Sequence, residues 1–191
     1  RQLHSEMALQ KSYTVKIFDQ NGTTFLKSLA PTILKNHPTF SSRLNGGLGQ
    51  VILDFDLPFD DFDEAVSINF MNIVDIYAVD EDNPRGRRIY RGFISKSEPY
   101  IDSAGIEGVK VTCLGLVSLL SFSYYKTGAA YEVVHTTQDP QTIFQAIIDH
   151  FNTIFGGSLL TYSTSSVGTT VTYTFTDKKW IDAIKKTVEL A

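Results

Sequence analysis

The side chains able to do chemistry are few and dispersed. Cys113 is the single cysteine in the chain, so an intrachain disulfide or a multi-cysteine metal site is excluded. It alternates with Val109 and Val111, which predicts a small buried hydrophobe on a strand. A nucleophilic role would require an electropositive, partly exposed site and a histidine partner. His4, His37, His135 and His150 share no H-x-x-x-H or H-E-x-x-H spacing, which argues against zinc. His135 falls at the end of a predicted strand and His150 on the polar side of a predicted helix. Asp54, Asp56, Asp60, Asp61, Asp63 and Glu64 form an acidic run that invites Ca²⁺, but Pro58 and Phe59 interrupt it and the spacing is not that of an EF-hand. A glycosidase would need two carboxylates about 5–10 Å apart across a sugar groove. No grouping of carboxylates with aromatic platforms is legible here. Asp80, Glu81 and Asp82 read as a hairpin turn, and Arg85, Arg87, Arg88 and Arg91 as a solvated hairpin tip. There is no G-x-x-x-x-G-K-S/T loop and no G-x-S-x-G elbow. The glycines of Asn45–Gly49 precede a strand, not a phosphate-binding helix. No catalytic, cofactor-binding or metal-binding residue is assigned, and the expectation is a protein without turnover.

Composition narrows the class further. The 191 residues are 42% hydrophobic and 20% charged, as in ordinary globular domains. A net charge of −4 and a pI near 5.5 argue against a surface built for nucleic-acid phosphates. No apolar run approaches the roughly 20 residues of a membrane span, and the first residues lack a signal-peptide core. Arg1 opens the chain and a helical pattern still runs at Ala191 without a Gly or Asn stop. The expectation is a fragment of a longer chain.

The elements that must position these residues change character along the chain. Tyr13–Phe18 and Thr24–Leu29 flank Asp19-Gln20-Asn21-Gly22 and predict a hairpin. Pro31 and Pro38 bracket a loop. Phe40–Leu44 leads to Asn45-Gly46-Gly47, a break that tolerates positive φ. Gln50–Leu57 places Val51, Leu53, Phe55 and Leu57 on one face, with Ile52, Asp54 and Asp56 on the other. Phe70–Val79 is apolar on both sides, as in a more buried strand. Two long β runs then flank Asp102, Ser103, Gly105 and Gly108, the second ending in Leu116, Val117, Leu119 and Leu120. Strands at this spacing without intervening helices predict a sandwich or a barrel.

After Leu120 helical spacing dominates. Ser121–Ala130 reads as a linker and Tyr131–His135 as a short strand. Asp139-Pro140 supplies an N-cap and a first-turn proline. Ile143, Phe144, Ile147, Ile148, Phe151, Ile154 and Phe155 recur at helical spacing up to Gly156-Gly157. Thr170–Thr176 alternates as a strand. Asp177 is expected to cap a final helix with Trp180, Ile181, Ile184 and Val188 inward. The fold expected is mainly β with α+β: an antiparallel β-barrel over residues 13–120, then a small α+β domain over 121–191 that is incomplete at its C-terminus.

Several stretches, taken in order, resemble tail hub proteins of long-tailed phages, the tail-associated or baseplate-hub group. They are F-S-S-R-L-N-G-G-L-G-Q-V-I-L-D-F-D-L-P from Phe40, R-G-F-I from Arg91 and C-L-G-L-x-x-L-L from Cys113. The second part adds D-P-x-x-I from Asp139, the Gly156-Gly157 stop, T-F-T-D from Thr174 and W-I-D-A-I-K-K from Trp180. The resemblance implies the N-terminal part of a virion structural protein at the tail tip, made in the bacterial host cytoplasm. It further implies a homotrimer of the full-length chain capping the tail tube, with distal tail and tape-measure proteins as partners and neither a membrane nor a specific nucleic acid. Acidic residues such as Asp54 and Asp56 would suit a channel that releases DNA. The rival is a stand-alone carbohydrate- or peptide-binding module that uses Tyr124, Tyr125 and Tyr131 as exposed stacking rings.

Overall fold

The computed structural model describes residues 12–41, 49–56, 68–80, 84–126 and 131–191. His4, Leu57, Asp60, Asp61, Asp63, Glu64, Glu81, Asp82 and the Asn45-Gly46-Gly47 break lie outside them. The chain divides into two compact units, one ending at Gly115 and the other running from Leu116 to Ala191.

The first unit is one antiparallel sheet of seven strands. These are β1 (Ser12–Phe18), β2 (Phe25–Leu29), β3 (Thr39–Ser41), β4 (Gln50–Phe55), β5 (Ile73–Val79), β6 (Arg87–Ile101) and β7 (Glu107–Gly115). They are ordered β2-β1-β5-β6-β7-β4-β3. Period-two alternation decides the inner face. Val15 and Ile17, Val51, Leu53 and Phe55, Val74 and Ile76, and Val109, Val111 and Cys113 all join one buried core. Each such aliphatic or phenyl group contributes roughly 1.5–3 kcal/mol by leaving water.

The sheet is curled. Leu34 bridges Phe55, flanked by bonds from Lys35 N to the Asp54 carbonyl (2.9 Å) and from Asp56 N to the Ile33 carbonyl (2.8 Å). The stretch from Leu29 to Ile33 reaches at most about 14 Å. On a flat sheet β2 and β4 would stand about 24 Å apart. Curling brings the far strand within reach, and a 3₁₀ turn at Pro31–Ile33 makes the connection. No strand ladder joins β2 to β3 among the described residues, so the barrel expected from the sequence is a curled but open sheet.

Two glycines let tyrosine rings lie flat on this sheet. Gly108 faces Tyr100 across the β6–β7 ladder, and a Cβ on it would sit 2.7 Å from the ring. Gly92 lies beneath Tyr90 and close to the Leu114 carbonyl. The β5–β6 ladder shifts register between Ile76 and Tyr77, so that Asp75 opposes Arg91 and Tyr77 opposes Arg88, leaving Ile89 as the extra residue.

The second unit begins with a 3₁₀ segment, Leu116–Ser121, whose Leu116, Leu119 and Leu120 are buried. The strand therefore stops at Gly115, and the apolar knuckle read as its end belongs to this unit. It continues with β8 (Glu132–Gln138), α1 (Pro140–Phe155), β9 (Val171–Thr176) and α2 (Trp180–Glu189). β8 and β9 form a separate antiparallel pair. Helix α1 starts as the sequence predicts: Asp139 accepts from Gln141 N at 2.8 Å, Pro140 follows, and Gly156 closes the helix at φ 74°. Helix α2 differs. Its N-cap is Lys179, without a side-chain cap, and Asp177 sits upstream at φ 49°. The buried row is Trp180, Ala183 and Thr187, whereas Val188 is exposed. Thr187 can be buried because its hydroxyl donates to the Ala183 carbonyl at 2.9 Å, which satisfies the one polar group it carries.

Candidate functional site

On the outer face of β4 the carboxylate read as a channel or Ca²⁺ ligand is already engaged. Tyr100 donates to Asp54 Oδ1 at 2.6 Å and Asn36 Nδ2 donates to Oδ2 at 3.2 Å. That bond holds the Tyr100 hydroxyl above its usual range. Lys35 Nζ meets Asp102 at 2.7 Å, and this bond lowers the Asp102 carboxyl to about 2. The network ties the 31–36 segment to β4 and to the β6–β7 turn. Asp56 is exposed. Next to this network a cleft of about 460 Å³ is lined by Tyr13, Leu34, Lys35, Asn36 and His37. His37 meets Tyr13 edge-on at 5.7 Å.

The arginine run is not a uniformly solvated tip. Arg88 Nη1 stands 3.4 Å and Arg91 Nε 3.5 Å from the carboxylate of buried Asp75. Arg91 also donates to the Gly22 carbonyl at 3.2 Å. Strict alternation would put Arg88 and Arg91 on opposite faces. The extra residue at Ile89 reverses the parity and turns both toward Asp75. Arg91 Nε and Asp75 Oδ1 face each other as an ion pair without a hydrogen bond, and neither atom has another partner. Arg85 and Arg87 are exposed, as expected.

Cys113 is completely buried, and burial pushes its thiol up to about 12. A thiolate is thereby disfavoured, which fits the packing role read from the sequence.

The second unit assembles a cluster that sequence spacing did not reveal. Tyr125, read as an exposed ring, is 3% exposed. It packs 5.0 Å from Trp180, 5.7 Å from Phe175 and 5.9 Å from His150. Its hydroxyl lies 3.0 Å from His135 Nε2, while His135 Nδ1 lies 2.8 Å from Gln138 Oε1. Since Gln138 Oε1 can only accept, Nδ1 donates to it and Nε2 accepts from Tyr125. Burial pushes the Tyr125 phenol up to about 12. His150, expected on the polar side of its helix, is half-buried and meets Trp180 at 5.3 Å. Tyr125 draws the two histidines into one cluster, and because it comes from the linker no helical or strand period marks it.

Tyr124 and Tyr131 are exposed and meet edge-on at 6.0 Å. Lys126 Nζ lies over the Tyr131 ring at 4.8 Å, so one face of that ring is occupied. A second, apolar groove of about 230 Å³ is lined by Pro140, Phe144, Val167 and Val188. The loop beside it is held by Asp139, which accepts from Ser166 Oγ at 2.6 Å and Gly168 N at 3.1 Å. The Ser166 bond leads the causes that lower the Asp139 carboxyl. Among the described residues no group of three His, Cys, Asp or Glu side chains could hold a metal ion, and no helix is long and apolar enough to cross a membrane.

No family sequence profile and no curated protein sequence matches the chain. Solved structures do match it in fold. A tail protein from Neisseria meningitidis MC58 superposes with a TM-score of 0.56 at 9% identity, over 94% of this chain and 45% of its own. A chain of the half-lidded Francisella PdpA–VgrG complex gives a TM-score of 0.52 at 14% identity, over 96% of this chain and 29% of its own. The chain thus spans less than half the length of either structure, and what it has in common with them is the fold: a curled antiparallel sheet followed by a small α+β unit.

Proposed function

We propose that this chain is a structural component of a phage-type tail tip, the N-terminal part of a hub that in its longer form is a homotrimer capping the tail tube. The observation that carries this reading is the likeness to the Neisseria tail protein, which covers 94% of the chain and takes in both units. The ordered sequence patterns from Phe40 to Lys186 point the same way. In this role the sheet supplies a rigid wall whose inner face packs the core and whose outer face, with Asp54, Lys110 and Thr112, is polar. The chemistry is assembly, not turnover. Asp54 and Cys113 are committed to hydrogen bonding and packing, and the partners are other tail proteins such as the distal tail and tape-measure proteins. Localisation at the virion tail tip follows from the same reading.

Immunogold labelling of purified particles tests it directly. Gold at the tail tip is the expected result, and gold on the capsid or on no particle would overturn it. Mass photometry adds the assembly state. The 191-residue chain should be monomeric or weakly associated, because one small sheet edge falls below the roughly 1,600 Å² of a standard interface. The longer chain should be trimeric. A stable dimer of the longer chain would count against a hub, since two-fold symmetry does not match a three- or six-fold tube.

A further inference from the structure

A strap of residues 123–125 is sewn onto residues 178–180, at the start of helix α2. Tyr125 N donates to the Lys178 carbonyl at 2.8 Å, Trp180 N reaches the Ser123 carbonyl at 3.4 Å, and Tyr124 bridges Lys179. These bonds are main-chain and join stretches distant in sequence. The side chain that fixes the strap to the rest of the unit is Tyr125, through its ring contacts and its bond to His135.

We propose that the His135–Tyr125 hydrogen bond is a proton-operated clasp that holds this strap on the second unit. Imidazole is the side chain that ordinarily changes charge between about pH 5 and 8. In the neutral ring Nδ1 donates to Gln138 and Nε2 accepts from Tyr125, so both nitrogens and the phenol are satisfied. A proton taken from solvent by Nε2 makes that nitrogen a donor. The Tyr125 oxygen can then only accept from it, and the phenolic proton loses its acceptor. Around it stand the rings of Phe175, Trp180 and His150. A buried donor without a partner is costly, so the strap loosens.

The groups facing His135 come from every neighbouring element. They are Tyr125 on the strap, Gln138 on β8, and Tyr173 and Phe175 on β9, with Trp180 on α2 and His150 on α1 packed against the Tyr125 ring. Lys186 lies over Tyr173 at 5.8 Å. Asp139, next to Gln138, spends its carboxylate on Gln141, Ser166 and Gly168. His135's own hydrogen bonds go to uncharged groups, so no carboxylate is bonded to it to hold the charged ring in place. This inference does not depend on the tail-tip reading.

Hydrogen exchange of the Tyr125 and Trp180 amides in the 191-residue chain, corrected for the intrinsic pH dependence, reads the clasp. Protection should fall about tenfold between pH 8 and pH 5 in the parent, the scale of one lost hydrogen bond. It should be independent of pH in His135→Gln, low at both pH values in Tyr125→Phe, and still pH-dependent in His150→Gln. The same response in parent and His135→Gln, or its loss in His150→Gln, overturns the proposal. If His135→Gln does not fold, imidazole ¹⁵N shifts of the parent decide: the Nδ1–H tautomer at pH 8 supports the clasp, and the Nε2–H tautomer refutes it.

Discussion

The two units of this chain solve the burial problem in different ways. In the first, the core is a set of mostly aliphatic side chains supplied by six strands, β1, β2, β4, β5, β6 and β7, and by Ile68. No single side chain organises it, because each strand pair repeats the same contact. In the second, two helices and a two-stranded pair converge on a few large rings: Trp180, Phe151, Phe175 and Tyr125. A distributed core tolerates local loss. A core built around one indole and one strap residue concentrates its stability in a few contacts.

The largest expected effect breaks that concentration. Trp180→Ala removes a ring that is 1% exposed and should cost about 3–5 kcal/mol. Hydrogen exchange would locate the loss in α1, α2, β8 and β9, with β4–β7 amides retaining their protection. A loss shared equally by both units would mean that they do not unfold separately. Next in size is a change in the distributed core. Gly92→Ala forces a methyl group against the Leu114 carbonyl and the Tyr90 ring, and overpacking of this kind costs about 1–3 kcal/mol. Denaturant titration should register it, and a neutral result would show that the β6–β7 ladder yields easily. Smaller still is Asp139→Ala. It removes the α1 cap and the hold on the 166–168 loop, with an expected cost of about 1 kcal/mol. Faster exchange at the Gly168 amide should accompany it.

The smallest effect sharpens the comparison by pH. The Asp102 carboxyl is held down to about 2 by Lys35. Its folded-state value lies below the unfolded one near 3.8, so the tie is fully present above about pH 4 and is lost as pH falls toward 2. Because the pair is solvent-exposed, the effect should be local. It should appear as changes in the Lys35 and Asp102 resonances in an acid NMR titration, and Lys35→Met should move the Asp102 midpoint upward. A global acid transition centred there would show that the network supports more of the sheet than its exposure suggests.

Much of the first unit is legible in the sequence. The alternation of Val51, Leu53 and Phe55, the Asn21-Gly22 turn and the buried role of Cys113 all follow from period and turn chemistry. The α1 boundaries at Asp139-Pro140 and Gly156 follow from capping. The inner face of α2 was legible only in part: Trp180 is buried as expected and Ile181 and Ile184 are half-buried, but Val188 is exposed and the helix turns Ala183 and Thr187 inward. A small residue and an internally bonded hydroxyl suit the close approach of α1 better than a row of branched side chains. Nor was the role of Tyr125 legible, because a linker has no period to betray which residue is buried.

What the sequence by itself determined is therefore the local order: where strands alternate, where turns fall and where helices begin. Those features rest on interactions between residues close in the chain, and their spacing records them. The tertiary structure alone decided three further things. It curled the sheet until Leu34 met Phe55, turned Arg88 and Arg91 to one face through an extra residue at Ile89, and brought Tyr125 between His135 and Trp180. Each depends on partners distant in sequence, whose meeting is fixed by strand order, register and packing and leaves no periodic trace in the chain.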